Sequence, residues 1–269
     1  MRMRSTLATS TLVLAALPAL AQQPFPTTQP AIIQIFREIE KAGHFGAHEQ
    51  TEIRWAALNR SIPNAASSLA LVAASGVQEV WWVSTYSGLD TWGKAQAYGS
   101  DNPTYTAALN KIALEDADHI NTTIMTQAEA VPDASYGAFP DVRTVRVYSI
   151  LTVTTRPGGE AAFIDVAKRY AAIMKAKGVQ TSWRAYQVIS GAPAGTFLIF
   201  SSFPSWDAVE AERKATGAAM AGTNAADLEA LNKAVSAGIV NMNARYFTVN
   251  PKMSTVPKEM MSDPFWSGK

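Results

Sequence analysis

Arg54-Trp55-Ala56-Ala57-Leu58 is echoed by Arg169-Tyr170-Ala171-Ala172-Ile173, and Ala108-Leu109-Asn110-Lys111 recurs letter for letter as Ala230-Leu231-Asn232-Lys233. Two copies of one module are the simplest cause. Around the first phrase the pattern is helical over 47–60. It stops before Pro63, because the residue ahead of a proline avoids the helical region. Around the echo it is helical over 160–177, behind the turn Pro157-Gly158-Gly159. Matched landmarks are offset by 115 at this helix, 117 at Tyr86 against Phe203, and 122 at the second repeated phrase. Slow drift of this kind is what loop insertions leave in a duplicated module.

Working outward, the first copy shows strand patterns at 32–41, 68–74, 78–86 and 119–127, where β-branched and aromatic residues gather between turn residues. Helical pieces at 89–97 and 105–117 are interrupted at Asp101-Asn102-Pro103. The second copy repeats the order, with strands at 144–154, 183–189, 196–203 and 240–249 and a broken helix over 206–220 and 225–237. Each half reads strand, helix, strand, strand, helix, strand, which is the ferredoxin-like order. The fold class is therefore α+β, with two tandem βαββαβ modules. Helices cover one face of each sheet, and the other face needs a partner. Runs apolar on both faces, such as Val80 to Val83 and Phe197 to Phe200, agree with burial on both sides, so the two modules are expected to pack sheet to sheet. The expected boundaries are 1–21 for a leader, 22–131 for the first module, 132–143 for a Pro- and Gly-containing linker, 144–250 for the second module and 251–269 for a tail.

On these features the chain resembles the dimeric α/β-barrel superfamily, which includes antibiotic-biosynthesis monooxygenase-like and stress-response barrel proteins. The likeness covers roughly 32–250 and rests on topology and on repeat phrases such as Arg156-Pro157-Gly158-Gly159-Glu160 leading into Phe163. It implies two ferredoxin-like sheets forming one barrel, fused here into a single chain. It is also similar to secreted bacterial proteins of this type that carry no assigned function. Monooxygenase-like members use an Asn or Tyr with a Trp, and haem-degrading members add a His on the module's second helix. This chain has no His on that helix before His119 and none at all in its second half, so no catalytic residue is carried over and no haem is expected.

The first residues read as a cleavable leader: Arg2 and Arg4 supply positive charge, 11–20 is apolar, and Ala19-Leu20-Ala21 gives a small-residue cleavage pattern, with the cut expected before Gln22. The apolar run is about ten residues, against roughly 20 needed to cross a bilayer. A periplasmic or extracellular protein with no membrane span is expected. With no cysteine, neither a lipid anchor nor a disulfide is available, so stability must come from burial. The 23 basic and 22 acidic residues nearly balance, and no basic stripe interleaved with aromatics points to nucleic acid. Internal fusion satisfies the sheet face that would otherwise force dimerisation, so a monomer or weak homodimer is expected. Met253, Met260, Met261, Phe265 and Trp266 make the tail too apolar to hang free, so it should dock on the barrel, either covering apolar surface or acting as a lid.

No nucleotide loop, nucleophile elbow, cysteine site or zincin motif is present. What remains is an asymmetry between the copies. The first helix of the second module has the core stripe Phe163, Val166, Ala167, Tyr170 and Met174. The same face of the first module reads His48, Thr51, Glu52, Trp55 and Asn59. Burying such groups costs several kcal/mol unless they find partners. His48 and Glu52, one turn apart, are placed to partner each other and are the candidate catalytic pair. Trp55, Trp81, Trp82 and Asn59 are the candidate ligand-binding residues, with Trp92 also in the same module.

All three histidines belong to this module, and by the ferredoxin-like path His44, His48 and His119 fall at one end of the sheet, near Glu49, Asp116 and Asp118. That rim could hold a divalent metal or serve as an acid/base pair. No other cofactor is expected. Each of these residues also has an ordinary structural reading: a solvated His44 in its Gly-rich turn, a His119 that caps a helix, tryptophans that fill a core. The leading expectation is one small-molecule pocket, for an aromatic or apolar ligand, in the first module. The enzyme alternatives are cofactor-independent monooxygenase-like oxidation and a metal-assisted reaction at the histidine rim. A third reading is an interaction module with no open pocket.

Overall fold

A computed structural model describes residues 25–61 and 66–267. The leader with its cleavage site, Pro24 and Pro63 lie outside the described residues. The element order is β1 (Ile32–Glu40), α1 (Phe45–Arg60), β2 (Ser68–Ala73), β3 (Glu79–Tyr86), α2 (Leu89–Asp101), α3 (Pro103–Asp116) and β4 (Ile120–Ala130), then β5 (Val147–Thr155), α4 (Glu160–Ala176), β6 (Arg184–Ser190), β7 (Thr196–Phe203), α5 (Trp206–Ala221), α6 (Ala225–Gly238) and β8 (Ile239–Thr255). Both copies of the module are present in the order read from the sequence. The break in the second helix of each copy follows from capping. Asn102 accepts from the Tyr105 amide ahead of Pro103, and Asn224 accepts from the Asp227 amide, so a new helix starts at each asparagine.

The eight strands close into one barrel in the order β1-β3-β2-β8-β5-β7-β6-β4. Every strand in it has two antiparallel neighbours, so the barrel leaves no open edge. The two modules therefore join at their edges as well as facing each other: β2 pairs with β8 (Leu71 opposite Val249) and β4 with β6 (Ala128 opposite Val188). Alternation then assigns every strand side chain to the interior or to the helix layer. Inside the barrel, Ile33, Ile35, Leu69, Leu71, Trp81, Val83, Tyr148, Ile150, Tyr186, Leu198, Phe200, Phe247 and Val249 form one core. Outside, α4 covers Val153, Ala185 and Phe197 with Phe163.

β8 runs past Asn250, where the sequence pattern ends, as far as Thr255 opposite Ser68. The Asn250 side chain accepts from the amides of Lys252 and Met253, turning the chain through an irregularity without ending the pairing. This extension passes beside α1, where Asn250 donates to Glu49 and Arg60 donates to the Ser254 carbonyl. The tail then returns to the barrel end: Val256, Met260 and Trp266 are buried in the interior core.

The β4–β6 seam depends on Gly191. Its φ is +86°, and a Cβ there would lie 1.9 Å from the Met125 carbonyl oxygen of the neighbouring strand. Gly191→Ala is expected to lower stability by about 1–3 kcal/mol through left-handed strain, with the backbone clash adding to it. Chemical denaturation would check this, and an unchanged midpoint would count against the seam as described.

Candidate functional site

Two places on opposite faces of the first-module sheet have chemical character. The first lies under α1. His48, Thr51, Glu52 and Ala56 are its buried residues, so three of the four groups it turns to the sheet are polar. Opposite them, β1 places Glu38 and Glu40 on the same face as Phe36, and the end of α3 brings in Asp116. His48 is fully buried. Its Nδ1 lies 2.8 Å from Asp116 Oδ1, and the Thr51 hydroxyl donates to the same carboxylate. His48 Nε2 faces Glu38 Oε2 at 3.6 Å and Glu40 Oε1 at 3.9 Å. Those are ion-pair distances, too long for hydrogen bonds. Nε2 and both carboxylate oxygens are buried with no hydrogen-bond partner.

The electrostatics follow from crowding. Burial, reinforced by the Asp116 charge, pushes the Glu38 carboxyl up to about 7. Burial likewise raises Glu40, and raises Glu52 well above its ordinary value with Glu38 and Asp116 adding to it. For His48, burial acts downward, but the hydrogen bond and charge of Asp116 outweigh it and the imidazole pKa rises. For Asp116, burial acts upward, and the hydrogen bonds from His48 and Thr51 outweigh it, so its pKa falls. The cluster gathers four carboxyl groups around one imidazole, out of water, where they cannot all ionise together. No lysine or arginine forms an ion pair with Glu38, Glu40, Glu52 or Asp116 among the described residues.

The expected partner of His48 was Glu52; the residue that takes it is Asp116. Glu52 still belongs to the group. One ligand atom from each of Glu38, His48, Glu52 and Asp116 lies within 4.8 Å of the others. His44 and His119 are outside that group and face each other instead, their Nδ1 atoms 3.1 Å apart. The end of β1, the start of α1 and the end of α3 do converge, as the topology requires, with the Lys41 amide donating to the His119 carbonyl. His48, one turn further along α1, points inward.

Neighbouring strand residues point to opposite faces, which separates the two tryptophans of β3. Trp82 joins the His48 layer, its ring 5.8 Å from the imidazole and 6.4 Å from Trp55. Trp81 turns into the barrel and packs on Phe247 at 4.8 Å. Asn59 lies further along α1, where it accepts from the Tyr105 hydroxyl and ties α1 to α3. Trp92 donates to Gln34. Glu38 and Glu40 were absent from the sequence-based candidates. Their signal was two carboxylates two residues apart on a strand expected to be buried on both faces.

The second place is inside the barrel. A cavity of about 70 Å³ opens at one end, between the modules. Ile33, Leu69, Leu71 and Val83 line it from the first module and Tyr148, Tyr186 and Phe200 from the second. Phe25, Pro26 and Pro30 of the lead-in and Phe139, Pro140 and Val142 of the linker cover it. Its polar groups are few: Thr85, Ser182, Ser202, Arg184 and the two tyrosines. Arg184 is fixed by donating to the carbonyls of Tyr136 and Gly137.

No family model matches the chain, and no curated protein matches it. Solved structures do. A monooxygenase-like protein from Fusobacterium nucleatum subsp. nucleatum is 9% identical, with a TM-score of 0.53 over 82% of this chain and 92% of that one. A second monooxygenase-like protein, from Lactobacillus acidophilus, is 9% identical with a TM-score of 0.51 over 85% and 98%. An anthrone oxidase-like protein is 12% identical with a TM-score of 0.52 over 84% and 94%. At such identities the likeness is one of fold, and activity has to be argued from the residues.

Proposed function

We propose, from the dimeric α/β-barrel fold that this chain shares with those proteins, that it is an exported barrel protein that binds one small aromatic molecule at the barrel end. The observation that carries this reading is the cavity, an aromatic and aliphatic enclosure with a few fixed polar groups, which is the usual form of a small-molecule site. At about 70 Å³ it is roughly half the 150 Å³ of a closed apolar cavity that takes up benzene, so a ring bound here would extend into the open end. Export is supported by the leader pattern of Arg2, Arg4 and Ala19-Leu20-Ala21. The pocket expected in the first module is thus proposed at the barrel end instead, where Tyr148, Tyr186 and Phe200 line it from the second module.

Toluene and phenol test this directly. Each is expected to raise the melting temperature of the purified chain, with phenol the better ligand because its hydroxyl has Tyr148, Tyr186, Ser202 and Arg184 to meet. Ser202→Phe places a ring in the cavity, opposite Tyr148, and should abolish both shifts while the unliganded protein stays folded. Equal shifts in Ser202→Phe and the parent protein would show that the binding is elsewhere.

A further inference from the structure

We propose that the buried cluster under α1 is a binding site for one divalent first-row transition ion, held by Glu38, Glu52 and Nε2 of His48, with Asp116 orienting the imidazole. The site lies on the opposite sheet face from the barrel cavity and is independent of it.

The first argument is the direction of the donors. Asp116 accepts from Nδ1 of His48, which leaves the lone pair on Nε2. Nε2 faces Glu38 Oε2 and Glu40 Oε1, and all three atoms are buried without a hydrogen-bond partner. Such an arrangement is costly unless a positive centre sits between them. A proton on Nε2 would draw one carboxylate in to about 2.7–2.9 Å. The separations are instead 3.6 and 3.9 Å. Ligand atoms on a tetrahedral ion with bonds of about 2.0–2.2 Å stand roughly 3.3–3.6 Å apart; His48 Nε2 and Glu38 Oε2 are 3.6 Å apart, and Glu52 belongs to the group whose ligand atoms lie within 4.8 Å of one another.

The second argument is the support around the imidazole. A ligating histidine almost always donates its other ring N–H to a carboxylate, a backbone carbonyl or a water. Asp116 takes that place, and Thr51 donates to Asp116. Glu40 is anchored by Gln78, which donates to its Oε2 and leaves Oε1 turned to the site. One imidazole among carboxylates selects against calcium and magnesium, which prefer oxygen alone, and suits zinc, manganese or ferrous iron. The enclosure implies that the ion is taken up as the module folds. The second module has Phe163, Val166 and Ala167 at the positions of His48, Thr51 and Glu52, so one ion per chain is expected.

The full exported chain, purified without chelator and analysed for metals, should carry about one equivalent of a divalent transition ion. After stripping, Zn²⁺ and Mn²⁺ should rebind with this stoichiometry and Ca²⁺ should not. His48→Gln, Glu38→Gln and Glu52→Gln should each weaken Zn²⁺ binding by 100-fold or more, and Asp116→Asn by about 10–100-fold. His119→Gln should leave it unchanged. If His119→Gln abolishes binding while Glu38→Gln and Glu52→Gln do not, the ion belongs to the His44–His119 pair and the proposal is overturned. It is also overturned if the folded parent protein binds Zn²⁺ and Mn²⁺ no more tightly than the three glutamine variants. Should a variant fail to fold, Co²⁺-loaded parent protein decides: one histidine nitrogen and carboxylate oxygens around the ion by X-ray absorption support the site, and two or more histidines sink it. Loss of toluene and phenol binding with metal uptake intact would count against the cavity alone.

Discussion

Trp266→Ala is expected to lower stability by about 3–5 kcal/mol, the cost of emptying a large buried aromatic position. For a chain of this size that is a fall in melting temperature of roughly 6–20 °C. The indole is 1% exposed and belongs to the barrel's interior core together with Val256 and Met260. It is fixed in two ways, its N–H donating to the Arg143 carbonyl at 3.0 Å and Phe265 packing edge-on at 5.0 Å, and the Arg146 guanidinium in turn covers the Phe265 ring at 3.7 Å. Deleting 256–269 removes all of these at once. The loss, at about 1.5–3 kcal/mol for each buried apolar side chain, approaches the whole stability of an ordinary domain, so the truncated chain should be recovered unfolded or aggregated. Calorimetry on the point variant and recovery of the truncated one decide it. A tail acting only as a lid would leave the melting temperature of Trp266→Ala near that of the parent.

The architecture could be read from the sequence because duplication writes the same periodicities twice. The phrase at Arg54 and its echo at Arg169 fixed the register of the two modules, and strand alternation did the rest. The same comparison exposed His48, Thr51 and Glu52 as polar residues on a helix face whose counterpart is apolar, and that face is indeed the buried one. Their partners were harder to see. Glu38 and Glu40 belong to β1, and nothing local says which face of a strand buried on both sides will meet a helix. The same ambiguity left Trp81 and Trp82 undivided. The cavity was less legible still, since Phe25, Ile33, Leu69, Phe139, Tyr148 and Phe200 come from six separate segments that only barrel closure brings together. Periodicity reports which residues share a face of one element; it is silent on which elements share a space.

Glu79 shows the same limit and carries the other large expected effect. Its side chain is fully buried in the barrel, held by Arg37 of β1 at 2.7 Å and by Arg245 of β8. One carboxylate on β3 thus joins strands of both modules. The two guanidiniums lie over aromatic rings that themselves touch: Arg37 is 4.6 Å from Trp81, and Arg245 is 5.1 Å from Phe247. Burial lowers the pKa of Arg245, and the Arg37 charge lowers it further, so without Glu79 two like charges would confront each other in a poorly solvated space. Glu79→Ala is therefore expected to cost about 3 kcal/mol, the lower end for breaking a buried pair, because it leaves two partly buried guanidiniums facing each other without their shared carboxylate. Glu79→Gln, which keeps an acceptor and the volume, should cost less. A third variant separates the two halves of the argument. Replacing the acid and both bases together, as Glu79→Leu with Arg37→Met and Arg245→Met, exchanges the triad for apolar groups of similar size and removes the repulsion as well as the attraction. It should recover most of the loss seen in Glu79→Ala, since a buried ion pair and a well-packed apolar substitute are often nearly equal in stability. Urea midpoints of the three variants measure this. If the triple variant were as unstable as Glu79→Ala, the unpaired charge would not be the cause, and the cost would instead come from lost packing where the two modules meet.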